Sequence, residues 1–163
     1  MKVADILARK GSDVIAVSPN TAVIDVLKLM ADKNIGSVVV MHNGSYQGIV
    51  TERDYSRKVI LKGKNSTDTE VADIMTTDLP SVTPADSIDR CMELMGEKHI
   101  RYLPVFAQGA LAGIISMSDV VASKNETTTR NHQPSGAIHF RYLIVIKKIP
   151  TNWPGFFYRI LKM

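Results

Sequence analysis

The chain has 163 residues, 45% of them apolar and 22% charged, an ordinary composition for a soluble globular fold with one sizeable core. Its one cysteine, Cys91, excludes an intrachain disulfide, and its longest wholly apolar run, residues 142–146, is far short of the roughly 20 residues that cross a bilayer. The net charge of +4 invites a nucleic-acid partner, but residues 1–126 hold 14 Lys and Arg against all 16 Asp and Glu, so the basic excess lies elsewhere. Residues 1–9 have no long apolar core, so no secretory leader is expected and the cytoplasm is the expected compartment.

In chain order, the first segment is Val3-Ala-Asp-Ile-Leu7, which returns as Val71-Ala-Asp-Ile-Met75. After Pro19, Thr21 is the expected N-cap of a helix whose Val23, Val26, Leu27 and Met30 follow the i, i+3, i+4, i+7 spacing of one buried face. Residues 37–41, Ser-Val-Val-Val-Met, form a short run of strand formers, and Asn43-Gly44 is a hairpin turn signal. The second strand of that hairpin ends in Gly48-Ile-Val-Thr-Glu-Arg-Asp54, and a helix is expected from Asp54 to Leu61. A polar linker, residues 62–70, follows.

The pattern then repeats 65 residues on. Aligning residues 17–54 with 82–119 needs no gap, and 11 of 38 positions are identical, among them Pro19 and Pro84, Gly48 and Gly113, Asp54 and Asp119. The second helix carries Ile88, Cys91, Met92 and Met95 behind an expected cap at Asp86. Residues 102–106 and Gln108-Gly109 repeat the strand and turn, and Gly113-Ile-Ile-Ser-Met-Ser-Asp119 repeats the motif before a helix expected from Asp119 to Lys124. The duplication predicts an α/β (α+β) fold of two pseudo-symmetric repeats, 1–61 and 71–124, each a three-stranded sheet packed with two helices. Neither repeat covers its sheet alone, so the two should pack about a pseudo-two-fold axis and share a cleft.

Thr51-x-x-Asp54 and Ser116-x-x-Asp119 have two readings. One is a pair of capping boxes, in which each hydroxyl accepts from the amide three residues on and each acid reaches back. The other is a nucleotide site, because a strand running into a helix start presents free amides to a phosphate while a carboxylate one turn in accepts ribose hydroxyls. Glycine at 48 and 113 admits a planar base or another stretch of backbone. Arg53 at a helix start opposes the macrodipole, which favours a phosphate contact over a solvated charge. His42 and His99 read as surface residues and Cys91 as core. No His, Cys and acid cluster has metal-ligand spacing, and no nucleophile is paired with a base, so no catalysis is expected.

These features resemble a tandem pair of CBS domains, also called a Bateman module, over roughly residues 1–124. The marks are Val71-Ala-Asp-Ile-Met-Thr76, Lys98-His-Ile-Arg-Tyr-Leu-Pro-Val105 and the two glycine-to-aspartate motifs. The resemblance implies a non-catalytic regulatory module that binds an adenosine-containing ligand such as AMP, ADP, ATP, NAD or S-adenosylmethionine in clefts between the copies and signals to an effector protein. It implies that Asp54 and Asp119 hold ribose, that Thr51 and Ser116 approach phosphate, that Arg101 lies in a segment used for ligand contact, a rim residue being the other reading, and that two modules stack into a homodimer. A structural dimerisation module with vestigial clefts is the alternative.

Arg53 has Ser118 as its counterpart, so the Thr51, Arg53, Asp54 site is expected to prefer more heavily phosphorylated ligands than the Ser116, Ser118, Asp119 site. Beyond residue 125 the composition changes: residues 127–163 hold six basic residues, no acidic one and six of the ten aromatics. This tail reads either as a basic aromatic patch for a membrane surface, nucleic acid or partner, or as sequence from a changed reading frame. Strand-like character is expected over 137–149.

Overall fold

In the computed structural model the described residues are 1–11 and 13–131; helix runs through the boundary expected at residue 125, and the expectations for the tail beyond residue 131 lie outside them. The chain begins with helix α1 (Val3–Lys10), followed by strand β1 (Ala16–Val17) and helix α2 (Val23–Lys33). Strands β2 (Ser37–His42) and β3 (Ser45–Thr51) form the first hairpin, and α3 (Glu52–Lys58) leaves it directly. Short 3-10 turns at Ile60–Lys62 and Val71–Asp73 bracket the linker. The second copy comprises α4 (Ile88–Glu97), β4 (Tyr102–Ala107), β5 (Ala110–Ser116) and α5 (Met117–Asn131).

The helix faces are those the spacing predicts. Val23, Val26 and Met30 of α2 are buried, as are Ile88, Cys91 and Met95 of α4. Each hairpin turns through two residues with positive φ, Asn43 and Gly44 in one and Gln108 and Gly109 in the other, the backbone a tight hairpin turn requires. Each also carries an irregularity at the same place, after Val40 and after Val105. The duplication therefore extends to backbone detail.

Four local expectations need correction. The N-caps of α2 and α4 are Ala22 and Ser87, one residue later than Thr21 and Asp86, and only Ser87 caps with its side chain. Asp86 instead accepts from the amide and hydroxyl of Thr83, and these bonds, the amide first, hold its carboxyl below the ordinary range. Helices α3 and α5 begin at Glu52 and Met117, so each motif aspartate lies inside the first turn, and α5 runs on to Asn131. Finally, sheet β1-β2-β3 has three strands, but in the β4-β5 sheet the third strand shrinks to one residue, Val82, bridged in parallel to Val105. Pro80 and Pro84 flank that residue and have no N–H to extend a ladder.

The two copies interlock at their leading segments. Val3 and Ile6 of α1 lie in the core built by Ile88, Met95, Leu103 and Ile115 of the second copy. Val71 and Ile74 lie in the core built by Val23, Met30, Val38 and Val50 of the first. Matching backbone bonds fix the exchange. Val3 and Ala4 donate to the carbonyls of Asp86 and Pro84, while Val71 and Ala72 donate to those of Thr21 and Pro19. This is the pseudo-two-fold arrangement the repeat predicts, with each copy supplying a piece of the other's core.

Candidate functional site

Both aspartate motifs form complete capping boxes. The amide of Asp54 donates to Thr51 Oγ1 at 3.2 Å, and the amide and hydroxyl of Thr51 donate to Asp54 Oδ2 at 3.0 and 2.6 Å. In the second copy, the amide of Asp119 donates to Ser116 Oγ at 3.2 Å, and Ser116 returns bonds to Asp119 Oδ2 at 2.8 and 2.7 Å. The capping reading is thus a fact of the structure. It leaves open what the helix starts face.

They face two separate clefts. The one beside Asp54 has a volume of about 600 Å³ and collects Thr51, Arg53, Asp54 and Arg101 of the expected site. Arg57, Lys98 and Thr76 join them. The other, of about 360 Å³, collects Ser116, Ser118 and Asp119 with Lys10, Asp13 and Tyr102. Each cleft takes one wall from each copy, since residues 98–102 face Asp54 and residues 34–37 face Asp119. Tyr102 borders both clefts, and Gly36 makes room for it: a Cβ at Gly36 would lie 2.8 Å from the phenol oxygen.

The clefts differ in charge. Four cations, Arg53, Arg57, Lys98 and Arg101, line the first against the single carboxylate of Asp54. One cation, Lys10, lines the second against Asp13 and Asp119. The carboxylates also differ in what they already hold. Asp54 Oδ1 accepts from Thr76 Oγ1 at 3.1 Å and pairs with Lys58 at 2.9 Å, so both of its oxygens are engaged. The bonds to Asp119 fall on Oδ2, which also pairs with Lys10 at 2.8 Å. Burial pushes the Asp119 carboxyl up, but bonds from Lys10 and Ser116, with the Lys10 charge, outweigh it and hold the carboxyl below the ordinary range.

The two motif glycines serve close packing of protein. A Cβ at Gly48 would lie 2.6 Å from the carbonyl oxygen of Thr76, which accepts from the amide of Ile49. At Gly113 a Cβ would meet a methyl of Leu7 at 2.8 Å. Of the two partners expected for these glycines, another protein segment is the one present, because the exchanged leaders run across them. Arg53 points its Nη1 at the carbonyl of His99, 3.0 Å away, and so bridges the copies at the rim of the first cleft. His99 is exposed, as expected, but its left-handed backbone at the end of α4 presents that carbonyl.

Sequence reasoning missed Lys10, Lys58, Thr76 and Tyr102. Lys58 stands four residues after Asp54 on one helix, a spacing that signals an ion pair. Lys10 and Thr76 became visible only with the exchange of the leaders. Among the described residues no group of His, Cys, Asp and Glu has the arrangement of a metal site.

The CBS domain family matches this chain twice, over residues 3–60 and 71–126. The chain belongs to the CBS domain family. It is 38% identical over 128 residues to the mitochondrial CBS domain-containing protein CBSX3 of Arabidopsis thaliana, covering 73% of this chain and 62% of that relative's length. A protein with CBS domains from Burkholderia ambifaria MC40-6 has a solved structure that superposes with a TM-score of 0.75 at 41% identity, covering 83% of this chain and all of that one. A hexameric CBS-CP12 protein from bloom-forming cyanobacteria superposes with a TM-score of 0.67 at 27% identity, over 82% of this chain and 76% of its own. Proteins built on CBS pairs are commonly regulatory modules, and no helix among the described residues is long and apolar enough to cross a membrane.

Proposed function

We infer that the CBS pair is a non-catalytic sensor of adenine nucleotides, working in a reducing compartment such as the cytoplasm and passing ligand occupancy to an effector protein. The observation that carries this reading is the pair of clefts, each with a carboxylate one turn into a helix and walls drawn from both copies. The cation-rich cleft of Thr51, Arg53, Asp54 and Arg101 suits ADP, ATP or NAD, whose phosphates meet two or more guanidinium groups. The Ser116, Ser118, Asp119 cleft suits AMP or a nucleoside, because its one cation, Lys10, is already paired with Asp119 and Asp13 adds an unbalanced negative charge. A ligand lying between the copies binds both walls, which is how occupancy becomes a change of shape.

Self-association belongs to the same reading. Ile60 and Leu61 are 55% and 78% exposed beside α3, an apolar pair suited to a second copy. Sedimentation should find a dimer at tens of micromolar, and a strict monomer would contradict it.

Thermal unfolding against AMP, ADP, ATP, NAD and S-adenosylmethionine tests the sensor reading. A ligand at 100 times its dissociation constant adds about 2.7 kcal/mol and raises the midpoint accordingly. One observation favours the alternative of a dimerisation module with vestigial clefts: the Asp54 carboxylate is already satisfied by its own chain. That alternative takes the lead if every ligand leaves the midpoint unchanged.

A further inference from the structure

The two clefts meet at the start of β4. Tyr102, the first residue of that strand, lines both of them, and its phenol oxygen fills the space that a side chain at Gly36 would occupy. Backbone bonds tie the same place to both helix starts. The amide of Met117, first residue of α5, donates to the carbonyl of Arg101 at 2.8 Å, and the amide of Glu52, first residue of α3, donates to the carbonyl of Gly36 at 3.2 Å. Arg101 lines the cleft of Asp54, yet its carbonyl holds the helix start that carries Ser118 and Asp119 into the other cleft. Gly36 lines the cleft of Asp119, yet its carbonyl holds the helix start that carries Arg53 and Asp54. One residue on the wall of each cleft therefore positions the helix start of the other.

The bonds at the helix starts follow from the repeat, but the shared ring does not. The counterpart of Tyr102 is Ser37, and that of Arg101 is Gly36. A glycine and a serine at the start of β2 leave the space into which the Tyr102 ring passes from one copy towards the other. A large residue facing a small pair thus makes one ring common to two sites.

We propose that Tyr102 and the Arg101 peptide couple the two clefts, so that a ligand in one raises the affinity of the other. This rests on the nucleotide reading above and adds to it a regulation of one site by its neighbour. Phosphate in the Asp54 cleft draws on Arg101, and whatever fixes the Arg101 peptide also fixes the amide of Met117 and the first turn of α5. A ligand in the Asp119 cleft meets Gly36 and the Tyr102 ring from the other side, and so fixes the first turn of α3. Ordering shared by both sites is done once, and the second ligand gains from it. Linkage makes the effect reciprocal: whichever cleft fills first, the other gains by the same factor.

Calorimetric titration with AMP gives the overall constant for filling both clefts, and the same titration of Asp119→Ala and of Asp54→Ala gives the constant for each cleft alone. The overall constant divided by the product of the single-cleft constants is the coupling factor, however unequal the clefts are. It should be about fivefold or more in the unmodified protein, and should fall to about one when Tyr102→Ser, the residue of the equivalent position 37, is added to all of these proteins. Gly36→Ala keeps the ring but displaces its phenol, since the added Cβ would lie 2.8 Å from that oxygen, so it should lower the factor too and serves if the serine variants lose their folding transition. A factor of one in the unmodified protein, a factor that survives either substitution in a folded variant, or saturation at one AMP per chain overturns the coupling while nucleotide binding stands. Absence of any AMP binding to the unmodified protein overturns the nucleotide reading and the coupling with it.

Discussion

Asp54 and Asp119 hold equivalent places in the repeat, yet each is neutralised by a lysine from a different part of the chain. Lys58 comes from the same helix as Asp54, and Lys10 reaches Asp119 from the exchanged helix α1. The second pairing links ionisation to the docking of α1. The Asp119 carboxyl is held below its ordinary value, so its ionised form adds stability above the unfolded-state pKa of about 3.9, and that contribution is lost as the pH falls through the lower folded-state value. The midpoint of the natural protein should therefore fall more steeply below pH ~4 than that of Asp119→Asn, while Asp86 and Asp89 titrate in both. Parallel slopes in a melting series would remove Asp119 from the acid transition. Asp119→Ala should also cost about 1 kcal/mol through loss of the capping box, whatever the cleft binds. The motif residues themselves were readable in the sequence because a hydroxyl and an acid three apart at a strand end carry their own local geometry. Their lysines were not, because Lys10 and Asp119 are 109 positions apart and meet only through the exchange.

At the level of elements, the repeat predicts both hairpins, both buried helix faces and the direct passage from strand to helix, since each depends on local spacing. What it does not predict is the crossing of the leaders, which decides the role of the motif glycines. Gly48 illustrates the difference. It looks available to a ligand in the sequence, but the bridge between Ile49 and Thr76 brings backbone to 2.6 Å from where a Cβ would be. Neither side of that contact is the flexible end of a side chain, so Gly48→Ala should cost about 1–3 kcal/mol in denaturant unfolding. Gly96→Ala, on the open face of α4, should be neutral or gain up to about 1 kcal/mol. If the two variants have equal stability, the close approach at Gly48 does not limit the fold. The reduction of the third strand at Val82 was legible in principle from the flanking Pro80 and Pro84, whereas the length of α5 was not, because Thr127, Thr128 and Thr129 are indifferent helix formers.

Across the whole molecule, the exchange of leaders makes the two copies one folding unit. Ile6 is 1% exposed in the second core and Ile74 is fully buried in the first, so Ile6→Ala and Ile74→Ala should each cost about 2–5 kcal/mol. Each should lower a single calorimetric transition, because neither copy has a complete core of its own. Two resolved transitions, with only one moved by each substitution, would contradict the interlock. The same architecture gives each of the two described clefts a wall from either copy, so a ligand bound in one of them would contact both copies. Whether these clefts are nucleotide sites made unequal by Arg53 and its neighbouring cations is read by titration calorimetry of Arg53→Ala against ATP and AMP. Loss of a charge-assisted phosphate contact, worth about 1.5–3 kcal/mol, should weaken ATP by at least about tenfold and leave AMP within a few-fold of the natural protein. Equal losses for the two ligands, or no measurable binding of either to the natural protein, would contradict the proposal of unequal nucleotide sites.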